Sequence, residues 1–185
     1  MGLFRRFLRA LGLGPEKVGV LIVGLDNSGK STLLNRLRPK KARTADVVPT
    51  IGFQVESFLK HGIQFTAFDM SGAGRYRSLW EAYFKDAQAV IFVIDATDLV
   101  RMCVAKDELE LMLRHPDLRK VPFLFYANKS DVPKCWTALQ CAQALQLDEN
   151  KDKPWNILAS NALTGEGVEE GIDWLAEMIK SKPTN

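Results

Sequence analysis

The sequence predicts an α/β fold: one domain with a six-stranded, mostly parallel sheet and helices on both faces, preceded by a short amphipathic helix. Three observations carry this. An apolar run at 18–23 enters the glycine-rich stretch from Gly24 to Thr32, after which Leu33, Leu34 and Leu37 recur at helical spacing. Runs at 89–94 and 123–127 are almost unbroken, as strands buried on both faces are, and a helical pattern through Val104, Leu109 and Met112 separates them. Two alternating runs, 53–58 and 63–68, flank His61-Gly62 and read as one antiparallel hairpin.

A chain of 185 residues, 46% hydrophobic and 25% charged, has enough apolar surface for one ordinary core and too much for a disordered chain. No repeat, low-complexity tract or second domain interrupts it. Three cysteines, an odd number at spacings unlike a zinc site, read as reduced thiols of a cytoplasmic protein. No run is long enough to span a membrane, and the N-terminus lacks the apolar core and cleavage site of a signal peptide.

Charge is concentrated at one end. Arg5, Arg6, Arg9 and Lys17 against Glu16 account for the whole net charge of +3, so the rest of the chain balances. On a helix, Leu3, Phe4, Phe7, Leu8 and Leu11 fall opposite the three arginines, which suits the surface of an anionic membrane. Gly12, Gly14 and Pro15 end that helix. Residues 1–15 are therefore expected to form a membrane-associating segment and 16–185 the folded domain. Arg6 stands where N-myristoylation wants Ser or Thr, so no lipid is expected on Gly2.

The stretch Gly24-Leu25-Asp26-Asn27-Ser28-Gly29-Lys30-Ser31-Thr32 lies between a strand and a helix, the setting in which G-x-x-x-x-G-K-S binds phosphate. Glycines let backbone N–H groups turn inward around an anion, and the helix N-terminus adds partial positive charge. Lys30 would meet the β- and γ-phosphates, and the Ser31 hydroxyl suits Mg²⁺. Residues 39–50 carry no periodic apolar pattern and read as a surface loop that could move. The hairpin ends in Asp69-Met70-Ser71-Gly72: a carboxylate to face Mg²⁺, then a glycine N–H to face the γ-phosphate.

The strand at 123–127 stops at Asn128-Lys129-Ser130-Asp131. A carboxylate accepts two adjacent hydrogen bonds, which guanine offers from N1–H and its exocyclic amine; Asp131 is therefore expected to select guanine. The Lys129 stem would lie over the base, and Asn128 would tie the loop to neighbouring backbone. A last strand at 155–159 leads to Asn161-Ala162, whose backbone N–H at Ala162 could reach the guanine O6. Val168, Ile172, Leu175 and Ile179 mark the closing helix. These groups all sit at carboxyl ends of strands, where ligands bind in parallel sheets.

Taken together, residues 24–31, Thr50, 69–72, 128–131 and Asn161-Ala162 resemble the small GTPases in order and spacing. More narrowly, Pro49-Thr50-Ile51-Gly52-Phe53, Leu79-Trp80, Gly171-x-Asp173-Trp174 and the N-terminal helix resemble the Arf family. Asp69-Met70-Ser71-Gly72, Arg75-Tyr76-Arg77 and Asp152-Lys153-Pro154-Trp155 look most like its ciliary Arf-like branch. The resemblance implies the small-GTPase (P-loop) fold, GTP and GDP as ligands with Mg²⁺, and Ser31 and Thr50 as metal-facing hydroxyls. It implies that the hairpin slides when GTP binds, expelling the N-terminal helix; a two-residue step keeps every side chain on its own face. Exchange and GTPase-activating factors would act on a monomer, with no nucleic-acid partner. Phe53, Phe68 and Tyr83 would form the effector surface for a BBSome-type coat complex that carries membrane proteins in cilia, placing the protein at membranes near the cilium or its base.

One position departs from the family. The catalytic positions are Lys30, Thr50 and residue 73, and where the family has Asp-x-x-Gly-Gln this chain has Ala73. The glutamine amide orients the attacking water and a methyl cannot, so hydrolysis by the isolated chain is expected to be very slow. The sequence leaves two readings: a weak GTPase switch, or a nucleotide-loaded scaffold with no hydrolysis.

Overall fold

The computed structural model describes residues 15–181, and the N-terminal amphipathic segment lies outside the described residues. Six strands form one sheet: β1 (Glu16–Val23), β2 (Phe53–Lys60), β3 (Ile63–Met70), β4 (Ala89–Asp95), β5 (Phe123–Asn128) and β6 (Trp155–Ser160), in the spatial order β2-β3-β1-β4-β5-β6. Among the described residues, only the β2–β3 strand pair is antiparallel. The four helices are α1 (Lys30–Leu37), α2 (Met102–Arg114), α3 (Ala138–Ala144) and α4 (Val168–Lys180) among the described residues.

Strand alternation divides the core in two. Leu21, Val23, Val90, Phe92, Phe123 and Phe125 pack with Leu109 and Met112 of α2 and Cys141 of α3 on one face. Val20, Ile22, Ile91, Val93, Leu124 and Tyr126 pack with Leu33 of α1 and Ile172 and Leu175 of α4 on the other. Central strands therefore need apolar residues at every position, which is why β4 is buried throughout.

The hairpin is longer than its alternating runs, extending to Lys60 and pairing Phe53 with Met70 and Lys60 with Ile63. The turn uses left-handed His61 and Gly62. Helix α3 has no long apolar stripe to announce it; its start is set by a capping box in which Thr137 and Gln140 satisfy each other's backbone N–H groups. At the far end of α2 the chain needs a partner for exposed carbonyls. Lys153, nearly buried, donates to the Leu113 and Leu118 carbonyls at 2.8 and 3.2 Å. The three cysteines are free, and no described helix is long and apolar enough to cross a membrane.

Candidate functional site

After β1 the backbone turns at Gly24 (φ 137), where a Cβ would lie 2.1 Å from the Val93 carbonyl oxygen. Left-handed Asn27 and Gly29 then curl the loop into the start of α1. This is the concave run of backbone that anions occupy. Lys30 opens α1 yet is only 5% exposed, its Nζ donating across the loop to the Leu25 carbonyl at 2.7 Å. Burial lowers its ammonium to about 8, against the pull of the Asp69 and Asp26 carboxylates. A cleft of about 340 Å³ opens above, walled by Asp26, Lys30, Ser31, Thr50, Gly72 and Ala73.

Three oxygen-bearing side chains from separate elements converge at this end. Ser31 Oγ donates to Asp69 Oδ2 at 2.5 Å, Thr50 Oγ1 donates to the same oxygen at 3.0 Å, and the two hydroxyls are 2.9 Å apart. Asp69 Oδ1 is buried without a partner among the described residues. Burial also raises the Asp69 carboxyl above its ordinary value, against the Ser31 hydrogen bond and the Lys30 ammonium. This donor set fits a hard divalent cation such as Mg²⁺, which prefers oxygen ligands and leaves positions for water and phosphate. The cation would exchange two hydroxyl hydrogen bonds for its own contacts and leave the carboxylate behind them.

The state of Lys30 gives a pH signature. A polyphosphate beside the amine favours the charged form and raises its pKa, so binding above about pH 8 must take up a proton. GDP binding is expected to consume a substantial fraction of a proton above pH 8 and much less at pH 7. Calorimetry in buffers of different ionisation enthalpy measures it. Affinity should fall as pH rises through this window.

The cleft continues past Asn27, Gly29 and Thr32 into a second cavity of about 200 Å³, walled by Asn128, Lys129, Asp131, Asn161, Ala162 and Leu163. Asn128 is 2% exposed and held through both amide atoms: its Nδ2 donates to the Ser28 carbonyl at 2.8 Å, and its Oδ1 accepts from the Ala162 N–H at 3.0 Å and the Ser160 hydroxyl at 3.3 Å. It ties the phosphate loop to the last loop, as expected. A Cβ at Gly29 would sit 2.3 Å from that Nδ2, which fixes glycine there. Two details add to the sequence reading. The Ala162 N–H is taken by Asn128, so contact with a base oxygen has to share or replace that bond. The Lys129 ammonium is held by Asp95 Oδ2 at 2.5 Å while its side chain walls the cavity.

The arrangement is thus an elongated groove with the phosphate-loop backbone, Lys30 and the Ser31–Thr50–Asp69 cluster at one end and the polar side chains of Lys129, Asp131 and Asn161 at the other. A profile described as the ADP-ribosylation factor family matches residues 4–179. The chain belongs to the ADP-ribosylation factor family. Among relatives of this family member, the zebrafish ADP-ribosylation factor-like protein 6 is 52% identical over the whole of both chains. The Caenorhabditis elegans protein of that name is 41% identical, covering 97% of this chain and 95% of its own. The Arl6 BBS3 small GTPase of Trypanosoma brucei, solved with the nucleotide analogue GppNp, superposes with a TM-score of 0.83 at 44% identity, covering 89% of this chain and 98% of its own. This Arf-family chain is thus similar to Arl6 proteins along nearly its whole length.

The three aromatic residues singled out in the sequence meet at the open end of the hairpin. The ring centroids of Phe53 and Phe68 lie 5.0 and 5.3 Å from that of Tyr83. Phe53 remains 44% exposed, with Val55 and Ile51 exposed beside it. The Ser71 N–H donates to the Gly52 carbonyl at 2.9 Å, so the aromatic group and Thr50 share one short piece of backbone with the phosphate cleft.

Sequence reasoning missed the arginines that bracket the phosphate loop of this Arf-family member. Arg101 donates to Asp26 Oδ1 at 2.9 Å and to the Asp26 carbonyl at 3.2 Å, and Asp98 holds its Nε at 2.5 Å. Arg77 donates to the Gly72 carbonyl at 2.9 Å and to Glu108 at 3.0 Å, fastening the segment after β3 to α2. Partners 75 positions apart leave no local pattern to find.

Proposed function

We propose that this chain is a GDP/GTP switch that works with Mg²⁺. The observation that carries the reading is the meeting of Ser31, Thr50 and Asp69, which joins the phosphate loop, the 39–52 loop and the hairpin at one point. Mg²⁺ held by the two hydroxyls would neutralise charge on the β- and γ-phosphate oxygens. Lys30 and the N–H groups of Gly24 to Thr32 hold the phosphates, Gly72 lies close to the terminal one, and Asp131 reads guanine. The binding of GppNp by the trypanosome relative supports the nucleotide.

With GTP the contacts of Thr50 and Gly72 fix the hairpin, and with GDP they are lost, so the terminal phosphate governs how Phe53, Phe68 and Tyr83 are presented. By likeness to Arl6 BBS3, the GTP form recruits a BBSome-type coat complex to membranes at the cilium, with exchange and activating factors setting the nucleotide. Residues 1–15 add a weak membrane contact, since a few large apolar side chains give roughly 1.5–3 kcal/mol each at most. A second reading, a nucleotide-loaded scaffold that never hydrolyses, is favoured by one observation: Ala73 puts a methyl on the wall of the phosphate cleft.

The test loads the full chain with GDP or GppNp and sediments it with anionic liposomes. The GppNp form is expected to be retained more than the GDP form, and removal of residues 1–15 to abolish the difference. Failure to bind either nucleotide at micromolar concentration with Mg²⁺ overturns the reading; equal retention overturns the switch.

A further inference from the structure

We propose that Tyr126 is a positioning residue for the base end of the cleft: its hydroxyl anchors the far side of the 161–167 loop and thereby sets how long a guanine nucleotide stays bound. This rests on the guanine-nucleotide reading above. Tyr126 is fully buried, and its hydroxyl donates to the Val168 carbonyl at 2.6 Å. Val168 is the first residue of α4, immediately after left-handed Gly167.

The loop itself is a closed hydrogen-bonded unit. The Asn161 N–H donates to the Glu166 carbonyl at 3.0 Å and the Gly165 N–H to the Asn161 carbonyl at 2.7 Å. Asn161 Oδ1 accepts from the Leu163 and Thr164 N–H groups at 2.9 and 3.2 Å. Such a unit moves as one body, and what fixes it to the domain is its two ends. Asn128 and Tyr126 are two positions apart on β5 and so project from the same face of the strand. Asn128 holds the entry of the loop through Ala162, and Tyr126 holds its exit through Val168. One strand thus grips both ends of the loop.

Helix α4 is built around that grip. Gly171 lies within the helix, where glycine is unfavourable, and any Cβ there would stand 2.4 Å from the Tyr126 hydroxyl oxygen. Removing the hydroxyl leaves the Val168 carbonyl without this partner and loosens the exit of the loop, while Asn128 still holds its entry. The Ala162 N–H on the 6-oxo side of the base is then placed less firmly, while Asp131, on the loop after β5, still meets the 2-amino side.

The experiment follows release of fluorescent GDP from the full chain, with GDP, inosine diphosphate and 6-thioguanosine diphosphate as competitors. Tyr126→Phe is expected to speed release about fivefold, the factor given by one buried hydrogen bond of about 1 kcal/mol. It should also shrink the preference for GDP over the 6-thio analogue and leave the preference for GDP over inosine diphosphate unchanged. Gly171→Ala, which presses on the same oxygen from the other side, should give the same pattern. Release that is unchanged, or faster with both preferences intact as simple destabilisation would give, overturns the proposal. A wild-type chain that does not bind GDP overturns the underlying functional reading instead.

Discussion

Asp131→Asn is expected to exchange guanine for xanthine. Asn128 is buried, with its oxygen engaged by Ser160 and Ala162 and one of its two N–H groups by the Ser28 carbonyl. Asp131 is exposed on the same cavity wall, with a carboxylate able to accept two adjacent hydrogen bonds. A carboxylate accepts from both N1–H and the 2-amino group of guanine. An amide accepts from N1–H but turns an N–H toward the amine, donor against donor, whereas xanthine presents a carbonyl at that position. Losing or mispairing two contacts worth about 1–3 kcal/mol each changes relative affinity on the order of 10² to 10⁴. Displacement of a fluorescent nucleotide by GDP and by xanthosine diphosphate measures the inversion, and GDP binding as tight as that of the unaltered chain would remove Asp131 from the base-reading role. Stability should hardly change, because the residue is on the surface.

How much was legible in advance follows from the range of the interactions. The phosphate loop, Asp69-Met70-Ser71-Gly72 and Asn128 to Asp131 are short runs whose chemistry is local, and the structure brings them to one edge of the sheet. The central strands were legible because burial on both faces demands continuous apolar sequence. Contacts across the fold were not. The Arg101–Asp26 pair and the Tyr126–Val168 bond join residues 75 and 42 positions apart. Nor could sequence show that the Ala162 N–H is taken by Asn128, because that depends on how close β5 brings two loops. The Thr137–Gln140 capping box is the opposite case: a local signal for α3 that was available and not used.

Ala73→Gln is expected to raise single-turnover GTP hydrolysis by roughly 10² to 10⁴, the range that a positioned proton-handling group contributes. The backbone is already arranged to present such a side chain. Gly72 lies so close to the phosphate loop that a Cβ would be 2.2 Å from the Asp26 nitrogen, and Arg77 holds the Gly72 carbonyl at 2.9 Å. Residue 73 follows in extended conformation (φ −64, ψ 135) and walls the same cleft as Lys30 and Thr50. A glutamine there would carry its amide from a backbone position already on the cleft wall. The measurement is loss of GTP from preloaded chain, with and without the substitution, because a single turnover excludes slow exchange from the observed rate. A large acceleration identifies a switch whose own catalysis is silenced at one side chain and whose reset depends on an activating protein, which can supply an arginine worth about 10³ to 10⁵. An unchanged rate would mean that Thr50 or the bracketing of Asp26 by Arg101 keeps the cleft from the transition state even with the amide present. The nucleotide-loaded scaffold would then be the better account of the chain.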